Sequence, residues 1–142
     1  MKKVIPTYAD WADKVQRTIS NFPAGFAFSD EQFEEQKKKL GVTENNELIA
    51  IPGNGFIRKK DKKEFEKLFK YLDTKKEEFL KSAKFVYEMF RYEMDNYEYG
   101  LTMNKAEVLA ACELSWKQVK ENPMYMRCFI KAEQDYFDAF EG

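Results

Sequence analysis

The stretch Leu48-Ile49-Ala50-Ile51-Pro52-Gly53-Asn54-Gly55-Phe56-Ile57-Arg58-Lys59 decides the fold class, because it is the strongest strand signal in the chain. Two short apolar runs flank four turn-forming residues, which is the pattern of a β-hairpin. A tight turn requires a positive φ, which glycine adopts without steric cost, so we expect that conformation at Gly55. A second short apolar run, over residues 24–28, predicts one more strand.

Outside these strands, apolar residues recur every three or four positions, which is the spacing of amphipathic helices. The longest such pattern covers residues 75–98 and contains neither Pro nor Gly. It carries two apolar stripes, so we expect a central helix that contacts neighbours on both sides. Asp73-Thr74 predicts a break between this helix and a shorter one before it. The residues expected in the core are Phe85, Val86, Met89 and Phe90.

Together these patterns predict a mostly helical α+β fold. In this prediction a small antiparallel sheet with a β-hairpin packs on a helical bundle around one long central helix. The chain has 142 residues and shows no repeat, linker or low-complexity segment, so we expect a single domain over residues 1–142. A domain of this length needs neither a disulfide nor a metal in order to fold.

The composition argues against many enzyme classes. The chain has no His, which removes the commonest general base and the commonest metal ligand. Cys112 and Cys128 lie in apolar surroundings, so we expect buried, reduced thiols. The sequence contains no recognisable pairing of a nucleophile with a base. We therefore expect no catalytic residue, no metal and no cofactor.

Charge and hydropathy bear on where the protein acts. The 24 Lys and Arg nearly balance the 25 Asp and Glu, which predicts no strong overall attraction to nucleic acid or to membranes. No stretch approaches 18 apolar residues, so we expect no membrane span. Residues 1–6 lack the apolar run of a signal peptide. These observations predict a cytoplasmic protein.

Basic residues concentrate directly after the hairpin turn. Residues 58–70 contain seven Lys or Arg and three Asp or Glu. Such a patch can bind an acidic protein surface or nucleic acid, or it can pair with the acidic residues 133–141 of the same chain. A glycine-rich loop beside cations can also hold phosphate. The candidate partner-binding residues are Asn54, Arg58, Lys59, Lys60, Lys62 and Lys63.

Acids and tyrosines concentrate at the end of the predicted long helix, over residues 92–100. Paired carboxylates in such a segment can serve acid–base chemistry or hold Mg²⁺. No second motif accompanies them, so we expect a tyrosine-lined polar helix tip. The secondary candidate surface consists of Asn96, Tyr97 and Tyr99.

Three segments together resemble a family of small uncharacterised cytosolic proteins that phages, plasmids and conjugative elements of gut bacteria carry. They are Phe28-Ser29-Asp30-Glu31-Gln32-Phe33, Gly53-Asn54-Gly55-Phe56-Ile57-Arg58-Lys59 and Tyr92-Glu93-Met94-Asp95-Asn96-Tyr97-Glu98-Tyr99-Gly100. The family pattern has His at the position of Tyr97, and that difference favours binding over catalysis here. The resemblance implies an accessory gene of a mobile element, a setting in which host-takeover and counter-defence proteins are common.

The expected function is therefore non-catalytic binding of a host or defence-system protein, in the manner of a counter-defence inhibitor. Aromatic residues make up 16% of the chain and can supply interface hot spots. One alternative is a nucleic-acid or nucleotide-binding module that uses residues 53–63. Another is a small enzyme built on the carboxylates of residues 93–99. An exposed apolar-aromatic patch favours a protein partner, whereas a contiguous basic groove favours nucleic acid.

Overall fold

The computed structural model describes residues 4–51 and 54–141. Within them it has eight α-helices and three strands, so the predicted α+β, mostly helical fold with a small antiparallel sheet is confirmed. The elements in chain order are α1 (Tyr8–Ser20), β1 (Ala24–Phe26), α2 (Asp30–Lys39), β2 (Leu48–Ile51), β3 (Gly55–Arg58), α3 (Lys62–Phe79), α4 (Ala83–Asn96), α5 (Tyr99–Thr102), α6 (Lys105–Ala111), α7 (Trp116–Glu121) and α8 (Pro123–Glu141).

The chain forms two compact units. The sheet unit comprises Lys14–Thr74, and the helical unit comprises the residues up to Asp13 together with those from Lys75 onward. Each unit is described below by itself. The single domain that the length of the chain indicates stays a prediction.

The sheet unit is built around three antiparallel strands in the order β1-β3-β2. Side chains alternate between the two faces of a sheet, and Gly25 pairs with Phe56 on one face. On that face the ring of Phe33 in α2 packs against Phe56, with 5.0 Å between ring centroids. Ala24 pairs with Ile57 on the opposite face, which carries the apolar side chains that meet α3.

The predicted hairpin is present, but the expected conformation of Gly55 is wrong. Asn54 adopts the left-handed conformation, with φ at 61°, and Gly55 is the first residue of β3. Asn tolerates this region better than most residues because its short polar side chain bonds locally. Gly55 is needed for space, since a Cβ atom there would lie 2.7 Å from the Phe26 ring and 2.8 Å from Ile51. Pro52 and Gly53 lie outside the described residues.

The prediction of one helix over residues 75–98 is wrong at its start, whereas its end agrees with the end of α4 at Asn96. Helix α3 continues through Asp73-Thr74 to Phe79, and α4 begins only at Ala83. The Thr74 hydroxyl donates to the carbonyl oxygen of Lys70, so this residue is accommodated inside α3. The Ser82 side chain accepts a hydrogen bond from the Phe85 amide and caps the start of α4. The N-cap Ser82 thus marks the start of α4.

The core of the helical unit lies between α4 and α8. Phe85, Val86, Met89 and Phe90 are buried, as predicted. Phe90 packs edge-on against Phe129 of α8, with 5.3 Å between ring centroids. Full burial of one such side chain contributes roughly 1.5–3 kcal/mol to folding.

Two helices, one in each unit, end in the same hydrogen-bonding pattern. After α2 the chain turns through Gly41 at φ 72°, as expected for a helix-terminating glycine. After α6 it turns through Glu113 at φ 60°. In both helices the amide that follows the turning residue bonds to the carbonyl oxygen five positions earlier, from Val42 to Lys37 and from Leu114 to Leu109.

Candidate partner-binding surface

Three of the predicted cations are free on the surface of the sheet unit. Lys59, Lys60 and Lys63 are exposed, and none forms an ion pair within residues 4–51 and 54–141. Lys62 is also exposed, and its Nζ lies 4.0 Å from the Glu66 carboxylate. A pair this exposed contributes little stability, so Lys62 remains available to a partner. The lysines surround the 3₁₀ turn Lys59–Asp61 and the start of α3.

Arg58 is not the free surface cation that the sequence suggested. Its side chain is only 25% exposed, and its Nε lies 2.7 Å from Oδ2 of Asp61. Its Nη1 donates a second hydrogen bond to the carbonyl oxygen of Leu40, at 3.4 Å. The guanidinium group therefore joins the end of α2 to the turn before α3. Arg58 positions this surface, and its charge is already paired with Asp61.

This hydrogen bond brings two more lysines to the site. Lys38 and Lys39 are exposed in the last turn of α2, directly before Leu40. Because Leu40 contacts Arg58, these lysines lie beside the segment that begins at Lys59. The sequence analysis missed them, although the run Lys37-Lys38-Lys39 was visible. We call Lys38, Lys39, Lys59, Lys60 and Lys63 together the basic surface.

Asn54 lies apart from the basic surface. Strand β3 separates it from Lys59, and five residues of extended chain span about 16 Å. Asn54 borders a shallow depression that Phe28, Asp30 and Phe33 also line. The structure therefore does not place Asn54 among the lysines with which the sequence analysis grouped it.

An apolar cavity of about 380 Å³ opens on the sheet unit. Phe26 is 45% exposed, so part of the wall faces solvent. The sequence analysis missed the cavity, because its residues follow core-like patterns in separate segments. It is lined by Ile19, Phe22, Ala24, Phe26, Ile51, Phe65, Leu68 and Phe69.

The secondary candidate surface is not a continuous surface. Asn96 is exposed and Tyr97 is half-buried, but Tyr99 is only 2% exposed. The Tyr99 hydroxyl donates to Oε2 of Glu133 at 2.8 Å. Burial raises the pKa of Tyr99, and this hydrogen bond raises it further. Tyr99 therefore has a structural role in the helical unit.

The carboxylates of residues 93–99 point to different surroundings. Glu93 is buried and accepts a hydrogen bond from the Tyr8 hydroxyl at 3.3 Å. Asp95 is exposed, and its Oδ1 lies 2.7 Å from Nη1 of Arg91. A pair that works as acid and base on one substrate must converge on it. Glu93 and Asp95 therefore do not converge on one site.

Both cysteines are buried, as predicted. Cys112 is 1% exposed, and burial raises the pKa of its thiol to about 12, with a further contribution from the charge of Glu93. Burial also raises the pKa of Cys128. Among the described residues, no three His, Cys, Asp or Glu side chains are grouped as a metal site would require. No helix in that part of the chain has the length and apolar character needed to span a membrane.

A family model agrees with the chain over nearly all of its length. The model is described as "Family of unknown function (DUF7659)", and it matches residues 7–135. The match includes the basic surface, the cavity and the buried Glu93. No curated protein and no solved structure matches the sequence significantly.

Proposed function

The chain belongs to this family of unknown function, and we propose that it is a non-catalytic protein that binds an acidic surface of another protein. The basic surface of the sheet unit makes the contact. One observation carries the proposal: Arg58 joins two segments of the chain, so that five exposed lysines share one surface. The resemblance to mobile-element proteins adds the expected setting, in which the partner is a host or defence-system protein that this protein inhibits.

Electrostatics support binding to an acidic partner. Lys59, Lys60 and Lys63 form no ion pair within the described residues, and the nearby carboxylate of Asp61 pairs with Arg58 instead. Clustered charge of one sign speeds the encounter with an oppositely charged surface. The attraction weakens as salt is added, because the Debye length falls from about 10 Å at 0.1 M to about 3 Å at 1 M.

The neighbouring cavity supports a protein partner over nucleic acid. An aromatic and apolar centre beside a charged rim is typical of protein interfaces. Binding of single-stranded nucleic acid instead uses aromatic faces on which bases can stack. Here Phe22 packs edge-on against Phe65, and Phe65 packs against Phe69 at 4.6 Å between ring centroids. These rings form a wall and offer few free faces.

The state of the cysteines supports a role without catalysis. A nucleophilic cysteine needs an accessible thiol with a lowered pKa. Both thiols here are buried and have raised pKa values, so they stay protonated near neutral pH.

Affinity capture from a lysate of the native host tests the proposal. The variant carries Lys59→Glu, Lys60→Glu and Lys63→Glu together, and Arg58 is left in place because it positions the surface. The matched control carries Lys84→Glu, Lys117→Glu and Lys120→Glu, three exposed lysines of the helical unit. Wild type and control should capture one protein at low salt, and the variant should lose it.

Two results would contradict the proposal. In the first, the variant retains the captured protein at wild-type strength. In the second, nuclease treatment releases every captured protein that the lysine variant fails to capture, which would favour the nucleic-acid alternative. Circular dichroism and thermal unfolding of all three proteins check that the substitutions leave the fold intact.

A further inference from the structure

We infer that the apolar cavity of the sheet unit is an anchor pocket for large apolar side chains of the partner protein, with acidic residues beside them. The acidic part of this inference rests on the proposed function, because Lys62 and the basic surface next to it would contact those acids. The apolar part rests on the cavity alone. The two parts can therefore fail separately.

The size of the cavity fits apolar side chains. An apolar cavity of about 150 Å³ is enough to bind benzene. A volume of about 380 Å³ therefore has room for two groups of ring or leucine size. An amphipathic helix presents two such side chains one turn apart, and binding of such helices in apolar grooves is a recurrent mode of recognition.

The lining favours a side chain over a free small molecule. All eight residues that line the cavity are apolar. Sites for small molecules combine apolar walls with a few polar groups that fix the orientation of the ligand. A side chain on a protein segment needs no such group inside the cavity, because the rest of the segment orients it.

The cavity persists because small residues face it and aromatic contacts brace it. Ala24 lines it from β1, and Gly55 leaves space between two other lining residues, Phe26 and Ile51. On the helical side, Phe65 packs against Phe22 and Phe69. A pocket that is formed before binding avoids part of the entropy loss of ordering side chains.

The cavity adjoins an exposed lysine at the start of α3. Lys62 precedes Phe65 by three residues and Phe69 by seven, so its side chain lies on the same face of the helix as these lining rings. One short segment of a partner can therefore fill the cavity and reach Lys62. This continuity identifies the occupant as an apolar segment flanked by Asp or Glu.

The test selects peptides from a random 16-residue library displayed on phage, with immobilised wild-type protein as the target. The enriched peptides should share one or two large apolar residues with acidic residues close by. A synthetic consensus peptide should bind in a fluorescence polarisation assay. A photoreactive group at its apolar position should cross-link to residues that line the cavity.

Ala24→Phe is the decisive variant, since it fills the cavity from a strand in which aromatic residues are well tolerated. It should weaken binding of the peptide at least tenfold. Leu101→Ser is the matched control, because Leu101 is an exposed apolar residue of the helical unit, and it should change nothing. If Ala24→Phe fails to fold, the position at which the peptide cross-links to the wild-type protein still shows whether it binds in the cavity.

The outcomes separate the two proposals. Peptides that bind through the lysines, cross-link outside the cavity and ignore Ala24→Phe would overturn the anchor pocket and leave the proposed function standing. Apolar peptides that fill the cavity but bind the Lys62→Glu variant equally well would overturn the acidic flank. Failure to enrich any apolar motif overturns the inference. The inference is also overturned if the wild-type chain forms a dimer that Ala24→Phe dissociates, because a second copy of this chain would then occupy the cavity.

Discussion

The hydroxyl group of Tyr8 donates a hydrogen bond to the carboxylate of Glu93, with 3.3 Å between the two oxygens. Glu93 is only 6% exposed and is the only buried charged residue in the described part of the chain. Burial and the charge of Glu93 raise the pKa of Tyr8, so its hydroxyl keeps the proton that it donates. The burial of this carboxylate thus depends on a tyrosine at the start of α1.

Tyr8→Phe should destabilise the protein, because it leaves a buried carboxylate without this donor. We expect the free energy of unfolding in urea to fall by about 1–3 kcal/mol. In the background of Glu93→Gln the same substitution should have a smaller effect, and this double-mutant cycle isolates the interaction. Equal losses in both backgrounds would show that the hydrogen bond contributes nothing specific.

Arg58→Ala should lower stability more than any single lysine substitution of the basic surface. It removes the ion pair with Asp61 and the hydrogen bond to Leu40, with an expected loss of about 1–3 kcal/mol in urea unfolding. Lys60→Ala should stay within about 0.5 kcal/mol of wild type, as is usual for exposed positions. Similar values for the two variants would contradict the positioning role of Arg58.

Gly55→Val should destabilise the sheet unit through a steric clash. The new side chain would collide with Phe26 and Ile51, for which we expect a loss of about 1–3 kcal/mol. Asn54→Gly should be tolerated, since glycine adopts the left-handed conformation that Asn54 holds. Thermal unfolding of both variants tests this. If Asn54→Gly lost more thermal stability than Gly55→Val, the turn at Asn54, and not the space at Gly55, would limit which residues the hairpin accepts.

Alkaline conditions should weaken the fold through Cys112. In the unfolded chain the thiol loses its proton near its ordinary pKa of 9.0, whereas the folded protein keeps it up to about pH 12. The unfolded state then binds fewer protons, so stability falls as pH rises through this window, by at most about 1.4 kcal/mol per pH unit. The stabilisation is complete below pH 9.

Urea unfolding of wild type and Cys112→Ala at about pH 8 and pH 10 measures this contribution. The variant should lose less stability over that interval than wild type. Tyrosines with raised pKa values, such as Tyr99, act in the same direction at higher pH and are present in both proteins. Equal slopes for the two proteins would show that Cys112 is not the group responsible.

Features that depend on local sequence were predictable. The hairpin, the glycine that ends α2 and the burial of Phe90 each follow from a few neighbouring residues. The boundary between α3 and α4 was not, because a break at Asp73-Thr74 and a cap at Ser82 are both plausible in sequence. Only packing selects between them.

The candidate site was predicted only in part, because some of its residues come together only in the folded chain. The density of lysines from Lys59 to Lys63 is visible in the sequence. The contribution of Lys38 and Lys39 depends on a hydrogen bond between Arg58 and Leu40, eighteen residues apart. The cavity combines four elements, α1, β1, β2 and α3, and each one alone has the pattern of an ordinary buried face.

The two helix ends that share one hydrogen-bonding pattern differ in how much they contribute to stability. Gly41 occupies the left-handed position after α2 without strain, whereas Glu113 holds the same position after α6 with a side chain that disfavours it. The Lys76 side chain that Glu113 contacts is only 16% exposed, but Glu113 itself is 74% exposed, so this ion pair offsets only part of the strain. Glu113→Gly should therefore raise the melting temperature, with a gain of up to about 1 kcal/mol. A chain that acquired this substitution would tolerate destabilising changes elsewhere, including new residues at the cavity, while the fold is kept.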